Sequence, residues 1–153
     1  VASGQTSDRD AVVEVVNLYA YCLDERDWPG LDEVFAADAS ARYGGPEGPP
    51  LNGRPAIVAS IRSFLDGCGP SQHLLGNHIV AIDGDEATAR CKARVYHYGL
   101  GDRAALEPYE CFGVYRDHLR RTSEGWRISR RIFDVYHAVG DVSILQPAPV
   151  PAR

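Results

Sequence analysis

No stretch of this chain approaches the roughly 18 consecutive apolar residues that a membrane-spanning helix needs. No basic segment followed by an apolar one opens it, so no export signal is expected. The phosphate-cradling P-loop, the G-x-G-x-x-G turn of dinucleotide folds and the G-x-S-x-G nucleophile elbow are all missing, which leaves little ground for nucleotide-dependent or α/β-hydrolase chemistry. Positive charge is not in excess. Sixteen Lys and Arg against 21 Asp and Glu give a net charge of −5, so neither nucleic acid nor an anionic membrane surface is an expected partner. The four cysteines, Cys22, Cys68, Cys91 and Cys111, form no C-x-x-C pair and no zinc spacing. They read as reduced, buried thiols of a cytoplasmic protein.

What is present is an ordinary globular composition, 44% hydrophobic and 24% charged over 153 residues, enough for one domain with a proper core. A domain over residues 1–137 and a Pro-rich C-terminal tail over 138–153 are expected. Ser7 with Asp10 three residues later resembles a capping box. It opens a helix to about Leu23, with Val12, Val15, Val16, Tyr19, Cys22 and Leu23 on its apolar stripe. Trp28-Pro29 opens a second short helix, a strand is expected over 38–43, and Pro55 to Leu65 forms a third helix. Between the last two lies a Pro- and Gly-rich loop, 44–53, suited to a pocket mouth. Four long strands follow. The first two form a hairpin around Asp83-Gly84-Asp85, whose Asp-Gly pair is a strong turn signal. The order predicts an α+β fold, three N-terminal helices packed against a strongly curved, mostly antiparallel sheet.

The hairpin carries the chemistry. On its second strand Ala87, Ala89, Cys91, Ala93, Val95 and His97 share one face by period-two alternation. These residues are small for a solid core and leave room for a closely packed helix or a ligand. On the first strand, strict alternation places His73 with Leu75, Asn77, Ile79 and Ala81, and His78 on the opposite face. If the two faces meet, His73 and His97 both look inward.

Leu23 to Trp28 (LDERDW), Phe35 to Ala39 (FAADA), Gly53 to Ile57 (GRPAI), Gln72 to Ala89 (QHLLGNHIVAIDGDEATA) and Glu124 to Ile128 (EGWRI), in this order and spacing, resemble the SnoaL-like branch of the nuclear transport factor 2-like superfamily. The resemblance spans residues 8–135. It implies a cone-shaped fold and admits several activities: scytalone and bile-acid dehydratases, a hexachlorocyclohexane dehydrochlorinase, steroid isomerases, an epoxide hydrolase, polyketide cyclases and non-catalytic binders. The dehydratase and dehydrochlorinase members share an Asp after the first helix and a His on the first long strand, which implies Asp24 and His73. A carboxylate-oriented imidazole is a competent general base near neutral pH. The scytalone dehydratase pattern further implies Tyr43 and His97, and the bile-acid dehydratase pattern implies Tyr19, each as a contact to substrate oxygen. The family precedent implies no metal and no cofactor. The steroid-isomerase base and the Asp–Arg–Asp set of the epoxide hydrolase do not map onto the chain.

The resemblance therefore implies a lyase or isomerase acting on a hydrophobic, oxygenated small molecule such as a polyketide- or steroid-like ring, in a homodimer or higher homo-oligomer. A polyketide cyclase working by aldol closure is one alternative. A non-catalytic binding domain is the other, and it predicts a side-chain-filled pocket or a His73–Asp24 pair too far apart to bond. Arg130 or Arg131 must face inward from the last strand, without the sequence saying which. The charged run from Arg116 to Arg121 reads as a solvated strand face.

Overall fold

Helix α1 runs Asp8–Glu25 in the computed structural model, which describes residues 7–145. The Ser7 hydroxyl oxygen accepts the Asp10 backbone N–H at 3.1 Å, so the cap read from the sequence starts the helix. Arg26 ends it in the left-handed region, at φ 58°, with its N–H directed to the carbonyls of Cys22 and Leu23. The second expected helix is only a 3-10 turn, Pro29–Asp32. Leu31, Val34 and Phe35 are all fully buried, and the chain turns directly into strand β1, Phe35–Tyr43, earlier than expected. A two-residue strand β2, Leu51–Asn52, and helix α2, Arg54–Leu65, follow. The four long strands are β3 (Ser71–Asp83), β4 (Glu86–His97), β5 (Tyr109–Thr122) and β6 (Gly125–Val139).

All strands join one six-stranded sheet in the order β2-β1-β6-β5-β4-β3. Among the described strands only β1 and β6 pair parallel. The fold is thus α+β as expected, with two α-helices and one 3-10 turn in place of three helices. No helix among the described residues is long and apolar enough to cross a membrane. Helix α1 lies across β3 and β4, and the small face of β4 meets it. Ala87, Ala89, Cys91, Ala93, Val95 and His97 are all buried.

The first strand of the hairpin departs from strict alternation. Gly76 pairs with Lys92, but Ile79 pairs with Arg90, so β3 holds one extra residue there. Asn77 absorbs it at φ 55°, a conformation Asn tolerates better than most side chains. The bulge reverses the parity beyond it. His73 and Leu75 face inward as expected, whereas Ile79 and Ala81 are exposed and Asn77 points away from the core. His78 and Val80 turn inward instead. His78 is half-buried, its Nε2 is buried without a hydrogen-bond partner among the described residues, and burial and the charge of Arg9 lower its pKa.

The last strand extends to Val139, past the expected end of the domain at residue 137. A 3-10 turn, Val142–Leu145, follows and buries Ile144 completely. Arg103 holds this turn by donating to the carbonyls of Ser143 and Ile144 at 3.1 and 3.3 Å. The rest of the expected tail, 146–153, lies outside the described residues.

Candidate active site

Asp24 stands in the last turn of α1, where the helix dipole disfavours a carboxylate. Three hydrogen bonds hold it there. Its Oδ1 accepts from the Ser71 hydroxyl at 2.9 Å and from His73 Nδ1 at 2.7 Å, and its Oδ2 accepts from the His73 backbone N–H at 2.8 Å. Burial alone would raise its pKa, but these donors and the charge of the imidazole outweigh burial, and the pKa falls below the usual carboxylate value. Arg26 braces the arrangement, donating to the carbonyls of Leu23 and Gly69 and to the Ser71 hydroxyl. The end of α1 and the start of β3 are thereby stapled together.

Because a carboxylate only accepts, His73 Nδ1 carries the proton of the 2.7 Å bond. Its Nε2 is left for the cavity that the ring lines. That cavity has a volume of about 270 Å³ and is walled largely by apolar and aromatic side chains, among them Leu23, Ile61, Leu65, Val95, Tyr115 and Phe133. Tyr115 and Phe133 stack at 4.2 Å. Phe64 and Val135, both partly exposed, mark its rim. Of the 44–53 loop, only Gly44 reaches it.

The structure brings the five residues singled out in the sequence to one place. His73, His97, Tyr43 and Tyr19 line the cavity, and Asp24 stands behind His73. The two imidazoles meet edge to face at 5.6 Å. His97 Nδ1 lies 3.4 Å from the Tyr109 carbonyl, which fixes the proton on that nitrogen and leaves Nε2 as an acceptor. Burial, then the charge of His73, push its pKa down to about 4, so it is neutral at pH 7. Tyr19 and Tyr43 hydrogen-bond through their hydroxyls at 3.1 Å. Burial raises the pKa of both, so both remain protonated donors.

The neutral His97 has a consequence for stability. The unfolded imidazole takes up its proton near pH 6.5 and the folded one only near 4. Its contribution is complete above about pH 6.5 and is lost as pH falls toward 4, because the unfolded state then binds more protons. About 2–3 kcal/mol should disappear between pH 7 and 4.5. Urea unfolding at several pH values should show this slope, flattened in His97→Gln. Equal slopes in both proteins would rule it out.

Beneath the tyrosines sits a pair the sequence did not reveal. Arg131 donates from Nε and Nη2 to the two carboxylate oxygens of Asp117, both at 2.7 Å, and both side chains are almost wholly buried. Arg131 is thus the inward residue of the last strand, and Arg130 is exposed. The charged run is not a uniformly solvated face. Within it Asp117 and Leu119 point into the core. Burial works against the charge on Arg131, but the charge and hydrogen bonds of Asp117 outweigh it and hold the guanidinium protonated. Tyr109, Tyr115, Phe133 and Leu145 also line the cavity without having been singled out. Alternation along β5 could have found Tyr109 and Tyr115; Phe133, beyond the slip in β6, and Leu145, in the last turn, carried no such signal.

A family profile described as SnoaL-like domain matches residues 4–132. A Mycobacterium tuberculosis protein described as uncharacterized is 33% identical over 129 residues, covering 84% of this chain and 85% of its own. Among solved structures, a Novosphingobium aromaticivorans protein provisionally named a scytalone dehydratase superposes with a TM-score of 0.76 at 19% identity, over 94% of this chain and 93% of that one. A hexachlorocyclohexane dehydrochlorinase superposes with a TM-score of 0.74 at 14% identity, over 94% and 95%. At these identities the two structures speak for the fold.

Proposed function

The chain belongs to the SnoaL-like family of the nuclear transport factor 2-like superfamily, and on that premise we propose that it is a cofactor-independent lyase or isomerase working by acid–base catalysis. The observation that carries this reading is the 2.7 Å bond from His73 Nδ1 to Asp24, with the remaining ring nitrogen left for an apolar cavity. The names of two fold neighbours, a dehydrochlorinase and a provisional dehydratase, lend support, since both denote eliminations.

In the proposed reaction His73 Nε2 removes a proton from the carbon next to a substrate carbonyl. The electron pair moves onto the carbonyl oxygen, and Tyr43 donates a hydrogen bond to the resulting enolate. Asp24 stabilises the imidazolium. When the enolate reforms the carbonyl, the carbon–carbon double bond forms and the group on the β-carbon leaves. A departing hydroxide takes the proton from His73 and becomes water. If no group leaves, return of the proton to a different carbon completes an isomerisation. Neutral His97 accepts a hydrogen bond from a substrate hydroxyl, and Tyr19 donates to Tyr43.

The bonded dyad counts against a domain that only holds a ligand, and the open cavity against one filled by its own side chains. Aldol closure would begin with the same proton abstraction. The test is exchange of the protons next to the carbonyl of cyclic ketones in deuterated water. The wild type should catalyse exchange and His73→Gln should lose it. Equal exchange by both proteins would remove His73 from the chemistry.

The protein acts, in this proposal, as a homodimer or higher homo-oligomer in the cytoplasm. Four buried, unpaired cysteines fit a reducing compartment. The outer face of the sheet exposes Leu74, Ile79, Tyr98 and Tyr136, apolar surface suited to a second copy. Light scattering should give a mass above that of the monomer, and a monomeric mass would refute the assembly.

A further inference from the structure

The placement of Arg131 goes beyond what neutralising Asp117 requires. Nε and Nη2 go to Asp117, and Nη1 is buried without a hydrogen-bond partner among the described residues. The guanidinium carbon lies 4.0 Å from the centre of the Tyr19 ring and 4.4 Å from that of Tyr115. The ion pair is therefore a dipole whose positive end is turned to the tyrosines. A cation against a phenol ring draws electron density from it and strengthens the hydroxyl as a donor. Tyr19 is almost wholly buried and bonds to Tyr43 at 3.1 Å. If its proton goes to the Tyr43 oxygen, the Tyr43 proton is free for the cavity that this residue lines. The charge of Arg131 opposes the effect of burial on both hydroxyls.

Size restricts what can meet that donor. A single benzene ring fills a buried apolar cavity of about 150 Å³. By that measure 270 Å³ has room for two fused rings. The aromatic walls and the scarcity of charge at the surface of the cavity favour a flat, neutral body with one oxygen that becomes anionic.

Resting on the acid–base reading of this site, we propose that the Asp117–Arg131 pair positions and polarises a Tyr19–Tyr43 oxyanion donor, and that the cavity takes enolisable or phenolic compounds of one or two fused rings. Arg131 and Asp117 are positioning residues here. Tyr43 is the group that touches the substrate.

The probe is 2-naphthol, whose ionised form absorbs at longer wavelength than the neutral form, so ionisation of the bound molecule is read directly against pH. The titration uses His73→Gln, which removes the competing base. In that background the bound naphthol should ionise about one pH unit lower, tenfold more readily, than when Tyr43→Phe is added. Adding Arg131→Met with Asp117→Leu should abolish most of this difference. Tyr19→Phe, which leaves the ion pair in place, should abolish part of it and serves if the paired replacement does not fold. An ionisation unmoved by Tyr43→Phe overturns the proposal, as does one that responds to Tyr43→Phe but to neither change behind it. Failure to bind naphthol, or preference for four-ring phenols, overturns the substrate class. None of these results touches the role of His73, which the proton-exchange experiment tests separately.

Discussion

Arg131→Met is expected to cost about 3–5 kcal/mol of folding stability, the largest loss from any single replacement considered for this chain. The guanidinium is fully buried and accounts for both oxygens of the Asp117 carboxylate. Taking it away leaves a carboxylate in the core with nothing to answer its charge, and the Tyr19 and Tyr115 rings lose the cation packed against them. Met fills a comparable volume, so the loss reports the stranded charge more than a cavity. Removing both partners should behave differently. Arg131→Met with Asp117→Leu replaces the pair by apolar groups and should recover most of the stability, since a buried ion pair gains little over a well-packed apolar pair. Urea midpoints at pH 7 for the three proteins decide the matter. A single replacement costing under about 1 kcal/mol would mean that Asp117 reaches water.

That pair also shows where the sequence stops being readable. Within an uninterrupted strand, parity is legible. The six inward residues of β4 follow from alternation alone, and the Asp-Gly turn places the hairpin. Parity does not carry across a bulge. On β6, Trp126 and Ile128 face the core, and strict alternation would bring in Arg130. The pairing with β5 slips between His118 and Leu119, one residue is absorbed, and Arg131 comes inward instead. The same event at Gly76 and Asn77 exchanged Ile79 for Val80 and turned His78 inward. The Gly-Asn pair was the one local hint of that bulge. Asp117 was hidden differently. A run of charges reads as solvated until a buried partner is known, and the partner stood beyond a bulge. The inward face of His73 was legible because the residue lies before the bulge, whereas Asp24 was singled out by the resemblance, at a helix end that the hydrophobic stripe defines.

Asp24→Asn is expected to lower turnover about 10³- to 10⁴-fold while leaving the fold intact. The replacement is nearly isosteric: its carbonyl, set where Oδ2 stands, can still accept from the His73 backbone N–H, while its amide nitrogen takes the place of Oδ1 beside the Ser71 hydroxyl and His73 Nδ1. What changes is the side chain of His73. A carboxylate only accepts, which obliges Nδ1 to carry a proton, so that the neutral tautomer has its lone pair on Nε2. An amide that donates its N–H to Nδ1 favours the opposite tautomer, with a proton on Nε2 where a base is required. The negative charge that would steady the imidazolium is lost as well. Two independent readouts follow. Exchange of ketone protons in deuterated water should fall by the stated factor, and the nitrogen shifts of His73 should report the changed tautomer at pH 7. Lost activity with the tautomer unchanged would assign Asp24 a purely electrostatic role. Retained activity would place the base elsewhere, and His97, which also lines the cavity and is neutral at pH 7, would then be the group to replace.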